Sequence, residues 1–262
     1  DLVAVFGVLA VSQAVGIVAG LVMLPNDERR IGRLRTPRLA PILHFGGWRA
    51  AQQGIRPGAL MAFRIIVVMV ATTAVFGELE AARVYTSPAM LIVSGVATYY
   101  LASYSGQRDR PLAWMVRRAD IGVGLLLGTI AAASAAAFVL LPWAGAVVTD
   151  GTFDLSPVAV AGWLLYAGVS AMGVPYGSLA SVRGGHTFVV WVRLGDAFLS
   201  LALVAVMLIV LGLDPETSPL GLSLGAFAGV CAVRVRLVRE VGRLTEGGVA
   251  EVAARADSDP SR

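Results

Sequence analysis

Residues 121–148 read IGVGLLLGTIAAASAAAFVLLPWAGAVV, without one charged side chain. A helix needs roughly 20 mostly apolar residues to cross the hydrocarbon core of a bilayer. This run exceeds that length and is longer than a soluble helix requires. It predicts a membrane-spanning helix, and similar apolar runs flank it on both sides.

The composition agrees. Of 262 residues, 57% are hydrophobic and 15% charged, and the mean hydropathy is +0.76. A soluble domain carries about 25% charged residues. The 30 glycines fit as well, because Gly is more frequent in membrane helices than in soluble ones. The single cysteine, Cys231, excludes an internal disulfide and any multi-cysteine metal site. It lies in an apolar run, where it reads as a small packed side chain. The net charge is +4, and every basic residue is Arg. Those arginines do not interleave with aromatics on a soluble surface, so no nucleic-acid partner is read.

Apolar runs are expected to span at residues 2–24, 42–76, 84–104, 121–148, 157–182, 187–212 and 220–238. The fold class expected is therefore all-α, a polytopic transmembrane helix bundle with about seven spans. Pro57–Gly58 predicts a kink in the second run, and Pro175 after Gly173 one in the fifth. The segments at 77–83 and 150–154 are expected as acidic loops, and the last residues, 256–262, as disordered. The chain opens at Asp1 directly in an apolar run without a basic leader, so no signal peptide is read. The expectation is the interior of a longer protein.

Charge falls on alternate sides of these runs. One side holds Arg29 to Arg38, Arg108 to Arg118, Arg183, and Arg234, Arg236, Arg239 and Arg243. The other holds Glu78, Glu80, Asp150, Asp154, Asp214 and Glu216, with Arg83 as its one arginine. Basic loops face the cytoplasm in membrane proteins. The asymmetry predicts a multi-pass protein of the cytoplasmic membrane with basic loops and C-terminus inside.

The segment WRAAQQGIRPGALMAFRIIV, residues 48–67, is the main candidate for chemistry. Arg49, Gln52, Gln53 and Arg56 follow i, i+3, i+4, i+7 spacing, and Arg64 follows Arg56 by eight residues. At helical pitch all five fall in a stripe roughly 120° wide, opposite an Ala, Ile, Val and Met face. An Arg near mid-bilayer costs at least about 2.5–3.5 kcal/mol on insertion scales, so it faces a bundle interior or a hydrated cavity. The expected role is a cationic wall binding an anionic ligand, because the planar guanidinium binds phosphate through two parallel hydrogen bonds. The plainer alternative for Arg49 and Arg56 is snorkelling to the interface. Arg64 is expected too deep for that.

Arg193 and Asp196 lie three residues apart and share a helical face. They read either as an internal ion pair or as a coupling site, since an intramembrane carboxylate can hold a proton or cation. Tyr99, Tyr100 and Tyr104 are explained by an interfacial aromatic belt, and His186 by an interfacial position.

No enzyme is expected. Arg49 followed by Arg56–Pro57 resembles the first motif of membrane lipid phosphatases, but their Pro-Ser-Gly-His segment and second histidine are missing. His44 and His186 are the only histidines. Neither a DDxxD cluster nor a Gly-rich phosphate loop occurs, and no cofactor or metal is expected.

The order of elements permits one comparison. A basic arm precedes LHFGGWRAAQQGIRPGALMAFRIIVVMVATTAVFGELEAARVY, and a run to YYLASYSGQ follows. Next come RPLAWMVRRADIGVGLLLG and VPYGSLASVRGGHTFVVWVRLGDAFLSLALVAVMLIVLGL. Over roughly residues 1–243 this resembles the C-terminal half of a polysaccharide flippase of the multidrug/oligosaccharidyl-lipid/polysaccharide exporter superfamily. The closest parallels are the G-x-x-x-A-x-Y-like stretch from Gly77 to Tyr85 and the turn Arg183-Gly184-Gly185. The resemblance implies residues 1–24 as the last helix of a first lobe and 25–41 as a cytoplasmic basic arm. It further implies 42–243 as a six-helix second lobe and 244–262 as a cytoplasmic tail. The implied substrate is a polyprenyl-pyrophosphate-linked glycan, flipped across the lipid bilayer for cell-envelope polysaccharide. The implied partner is an N-terminal lobe or a second chain completing the pathway.

Two other functions fit the same residues. A cation-coupled drug exporter of that superfamily would use Asp196. A non-transporting scaffold subunit would pair its intramembrane arginines internally and hold no hydrated cavity.

Overall fold

Every described element is a helix. The computed structural model describes residues 39–149 and 155–257, with the helical positions Gly7, Val11, Ala14, Val15 and Val18 before them. Side chains within the long helices are described from 54 to 246, apart from 144–146 and 148–149. The expected helix at 2–24, the arm up to Arg38, the loop at 150–154 and the final residues 258–262 lie outside the described residues.

The first long helix, α1 (Leu39–Val70), begins three residues before the expected start and passes through Pro57 without a break in its helical assignment. It stops at Val70 because Thr72 turns extended, at φ −74° and ψ 160°, and caps the next helix. The Thr72 Oγ1 accepts from the Val75 N–H at 3.4 Å. That helix, α2 (Thr73–Tyr85), corrects the expected acidic loop at 77–83. Glu78 and Glu80 stand on a 13-residue helix, shorter than a span. Helix α3 (Ser87–Gly106) starts afresh with Pro88 in its first turn, so the expected run 84–104 is broken at Thr86.

Helix α4 (Leu112–Thr149) absorbs the basic segment into its first turns. Helix α5 (Pro157–Ala180) leads through a π-helical turn, Ser181–Gly185, into α6 (His186–Ala205). Gly184 has φ +84°, in the left-handed region that favours glycine, and Arg183 beside it leaves helical geometry. A second π-helical turn (Val206–Val210) and a short 3-10 turn (Pro215–Thr217) connect to α7 (Ser218–Asp257). The expected helix at 220–238 is thus too short. The segment beyond 238 is rich in Arg, Glu and Ala, which are good helix formers, and the helix continues through it.

Three helical stretches among the described residues are long and apolar enough to cross a membrane: Leu112–Trp143, Pro157–Val210 and Pro215–Glu246, whose most apolar windows have mean hydropathies of 2.2, 2.1 and 1.5. Only 17% of the most apolar window in each of the first two is buried inside the protein, so their surface is one that lipid suits. Pro157–Val210 is 54 residues long. As one helix it would reach about 80 Å, far beyond a hydrocarbon core of about 30 Å. The break at Arg183–Gly184 divides it into α5 and α6. Helix α3 falls short of that apolarity because of its Ser and Tyr residues.

From Trp48 onward the chain packs as one compact unit. Helix α5 lies at its centre, with apolar and small residues buried around most of its circumference. Its neighbours are α3, α4 and α7. The Trp163 indole on α5 donates to the Leu79 carbonyl on α2 at 3.2 Å, and the Tyr85 hydroxyl on α2 donates to the Ala137 carbonyl on α4 at 2.6 Å. These two bonds hold the short α2 against longer helices.

Helices α6 and α7 approach through Gly221, Gly225 and Gly229, one per turn. A Cβ at Gly221 would sit 2.9 Å from Val204 Cγ2, and one at Gly229 would sit 2.6 Å from Asp196 Oδ2. At Gly225 it would run into Ser200. This is the small-xxx-small packing of membrane helices, where missing side chains let backbones meet.

Arg64 on α1 is tied to α2. Its Nε and Nη2 donate to the two carboxylate oxygens of Glu80 at 3.1 and 3.0 Å, and Arg83 Nε donates to the same carboxylate at 2.9 Å. Alanine at Glu80 leaves two guanidiniums facing each other. A half-buried pair of this kind is expected to cost about 1–3 kcal/mol. The check is a lowered midpoint of thermal unfolding in detergent, with Glu78→Ala as the silent control.

Candidate ligand cavity

A half-open cavity of about 490 Å³ lies between α1, α3, α5, α6 and α7. That volume is in the range of small-molecule sites, about 300–1,000 Å³. Helix α5 gives it a polar and small-residue face: Tyr166, Ser170, Gly173, Gly177 and Ser181 recur every three or four residues and all line it. Ser94 and Thr98 on α3 and Ser200 on α6 add hydroxyls. The charged lining residues among those described are Arg56, Arg193 and Asp196, leaving one excess positive charge.

Arg56 is held in place. Its Nη2 donates to Ser170 Oγ at 3.0 Å and contacts Met90 Sδ at 3.7 Å. Its guanidinium carbon lies 5.1 Å from the centre of the Tyr166 ring, a cation–π distance. Behind Tyr166 stands Trp163, edge to face at 5.9 Å, and behind Trp163 stands Phe63 at 5.8 Å. Those rings fix the wall against which the guanidinium rests. Arg56 forms no ion pair with a carboxylate among the described residues. Its remaining donors can therefore serve a ligand.

Arg193 enters from α6. Its Nη2 lies 3.8 Å from where a Gly177 Cβ would stand, within van der Waals reach of α5. Asp196 lies one turn further along α6, within electrostatic reach of both Arg193 and Arg56. Its carboxylate rests against Gly229 of α7. The geometry thus groups two cations and one anion on one cavity.

A polar cluster adjoins the cavity at Tyr176. Tyr176 lines the cavity and donates its hydroxyl to Asp120 Oδ1 at 2.6 Å. Arg234 Nε donates to the same oxygen at 3.3 Å. One carboxylate so links α4, α5 and α7. The buried Tyr104 hydroxyl lies close by and has no hydrogen-bond partner among the described residues.

The sequence candidates divide. Arg56, Arg193 and Asp196 come together on the cavity. Arg64 does not line it and is held by Glu80 instead, contrary to its expected place on the same wall. Eight residues rotate Arg64 by about 80° from Arg56 and move it about 12 Å along the axis. That displacement is enough to change its neighbour from α5 to α2. Arg49, Gln52 and Gln53 stand on α1, but their side chains lie outside the described residues.

Sequence reasoning missed the α5 face and Tyr176. The signal was present: hydroxyl and glycine positions at helical spacing in an otherwise apolar run. It also missed the α6–α7 glycine seam, readable as Gly-x-x-x-Gly-x-x-x-Gly at 221–229. No cluster of three metal-ligating side chains occurs among the described residues. Scanned against protein-family models, curated proteins and solved structures, the chain matches none.

Proposed function

We propose that this protein is a membrane transporter, a flippase that moves a polyprenyl-pyrophosphate-linked saccharide across the cytoplasmic membrane for cell-envelope polysaccharide synthesis. The observation that carries the reading is the cavity with Arg56 and Arg193 among apolar helices. A guanidinium near the hydrocarbon core is costly unless it faces a cavity or a counter-ion. For Arg56, which pairs with no carboxylate among the described residues, a diphosphate supplies that counter-ion, and the hydroxyl face of α5 suits the saccharide next to it. The volume holds a headgroup and leaves the isoprenoid chain to the surrounding lipid.

In this reading α1 and α3 cross the bilayer with the three apolar stretches, and residues 2–24 add the last of about seven spans. The cavity is half-open, and an N-terminal lobe or a partner chain would complete the pathway. The basic loops face the cytoplasm. An open cavity with charged lining also weighs against a passive scaffold.

Binding tests the proposal. A fluorescent polyprenyl-pyrophosphate saccharide should bind the full-length protein in detergent at least about tenfold more tightly than the matching polyprenol, because charge-assisted hydrogen bonds to the phosphates are lost in the alcohol. Equal affinities would count against an anion-reading cavity. A second reading, cation-coupled drug export, draws on Asp196 in the same cavity. It predicts tighter binding of a lipophilic cation than of the pyrophosphate.

A further inference from the structure

The first turns of α4 bury Leu112, Met115, Val116 and Ala119 and turn Trp114 and Arg117 outward. Trp114 stands four residues after Arg110 and four before Arg118. Both guanidinium carbons contact its ring, at 5.9 and 5.4 Å from the centroid. Arg118 is fixed from behind, its Nη1 donating to Gln107 Oε1 at 2.7 Å and its Nη2 to Ser103 Oγ at 3.4 Å. The Arg110 carbonyl is fixed by Arg183, which donates to it.

Neither Arg110 nor Arg118 forms an ion pair among the described residues. The carboxylates nearest in sequence are engaged elsewhere. Asp109 pairs with Arg108 at 4.0 Å, and Asp120 takes Arg234 and Tyr176. Two like charges held on one ring repel, and the repulsion grows where the dielectric is low. An anion bound beside them offsets it.

We propose that Arg110, Trp114 and Arg118 form a clamp for the phosphate headgroup of an anionic phospholipid. The clamp stands at the start of the apolar stretch Leu112–Trp143, which is headgroup depth. Indole rings settle at that depth. Guanidinium forks grip phosphate oxygens, and anionic leaflets draw basic residues to helix ends. The inference needs a chain embedded in a bilayer and does not depend on the cargo of the cavity.

Native mass spectrometry of the purified full-length protein during delipidation tests it, with phosphatidylglycerol and phosphatidylcholine as probes and soluble glycerol 3-phosphate as competitor. The wild type should retain phosphatidylglycerol preferentially. Arg110→Gln with Arg118→Gln should cut that retention roughly tenfold. Arg110→Gln alone, which leaves every hydrogen bond of Arg118 in place, should cut it several-fold. Arg117→Gln, on the exposed side without a ring, should leave it unchanged. Equal loss in Arg117→Gln would overturn the clamp in favour of diffuse surface charge. Equal retention of both lipids would overturn the anion site. Displacement by glycerol 3-phosphate at matched concentration would assign the site to soluble phosphates instead.

Discussion

Alanine at Arg56 is expected to weaken binding of a polyprenyl-pyrophosphate saccharide about 10- to 100-fold while leaving the helical fold intact. The magnitude follows from the hydrogen bonds a guanidinium gives a phosphate. Each bond to a charged group contributes about 1.5–3 kcal/mol, and 1.4 kcal/mol is a factor of about ten in affinity. The fold survives because Arg56 is joined to its neighbours by a hydroxyl, a thioether and a ring, and not by a buried carboxylate. Ser170, freed of its partner, can turn its hydroxyl back to a carbonyl of its own helix. Arg56→Lys keeps the charge but loses the fork and much of the contact with Tyr166, so its affinity should fall between the two. Fluorescence anisotropy of the labelled lipid measures all three proteins. Unchanged affinity in Arg56→Ala would remove this residue from the site.

The second large effect is structural. A methyl group at Gly225 would overlap Ser200, lying 2.6 Å from its Cα, and a main chain cannot swing aside as a side chain can. Helices α6 and α7 must part, and overpacking of this kind costs about 1–3 kcal/mol or more. Gly225→Ala should therefore lower the thermal midpoint in detergent clearly. Gly221→Ala should lower it less, because a Cβ there meets the Val204 main-chain N at 3.0 Å, a looser contact than the 2.6 Å to Ser200 Cα at Gly225. Gly195→Ala, with nothing within 4 Å, should not lower it. The damage should reach the cavity, since Arg193 and Asp196 ride on α6. Gly229→Ala meets the Asp196 carboxylate at 2.6 Å and the Asp196 Cβ, fixed to the main chain, at 2.7 Å. It should lower stability and disturb ligand binding together.

The all-helical class was legible because apolar runs and charge alternation are long-range signals that survive boundary errors. The turn at Gly184 was legible too, since paired glycines after an arginine break a helix. The stop at Thr72 was not, because one capping threonine inside an apolar run is a weak signal against continuation. Nor was the helicity of 77–85. Two glutamates read as a loop by charge, whereas Glu80 is helical and held by Arg64 and Arg83. The site was half legible. A single-helix stripe marked Arg56, which lines the cavity, but whether Arg64 shares its wall depends on which neighbour packs at each turn. Tertiary contacts decide that, and one helix's periodicity carries no record of them.

The central claim is that a cationic cavity carries a lipid-linked saccharide across the bilayer. Leaflet translocation of a fluorescent polyprenyl-pyrophosphate saccharide in proteoliposomes of the full-length protein tests it most directly. The prediction is translocation well above that of empty liposomes, falling by about tenfold or more in Arg56→Ala in line with its lost binding. Translocation no faster than in empty liposomes, by protein shown to be folded and inserted, would contradict it.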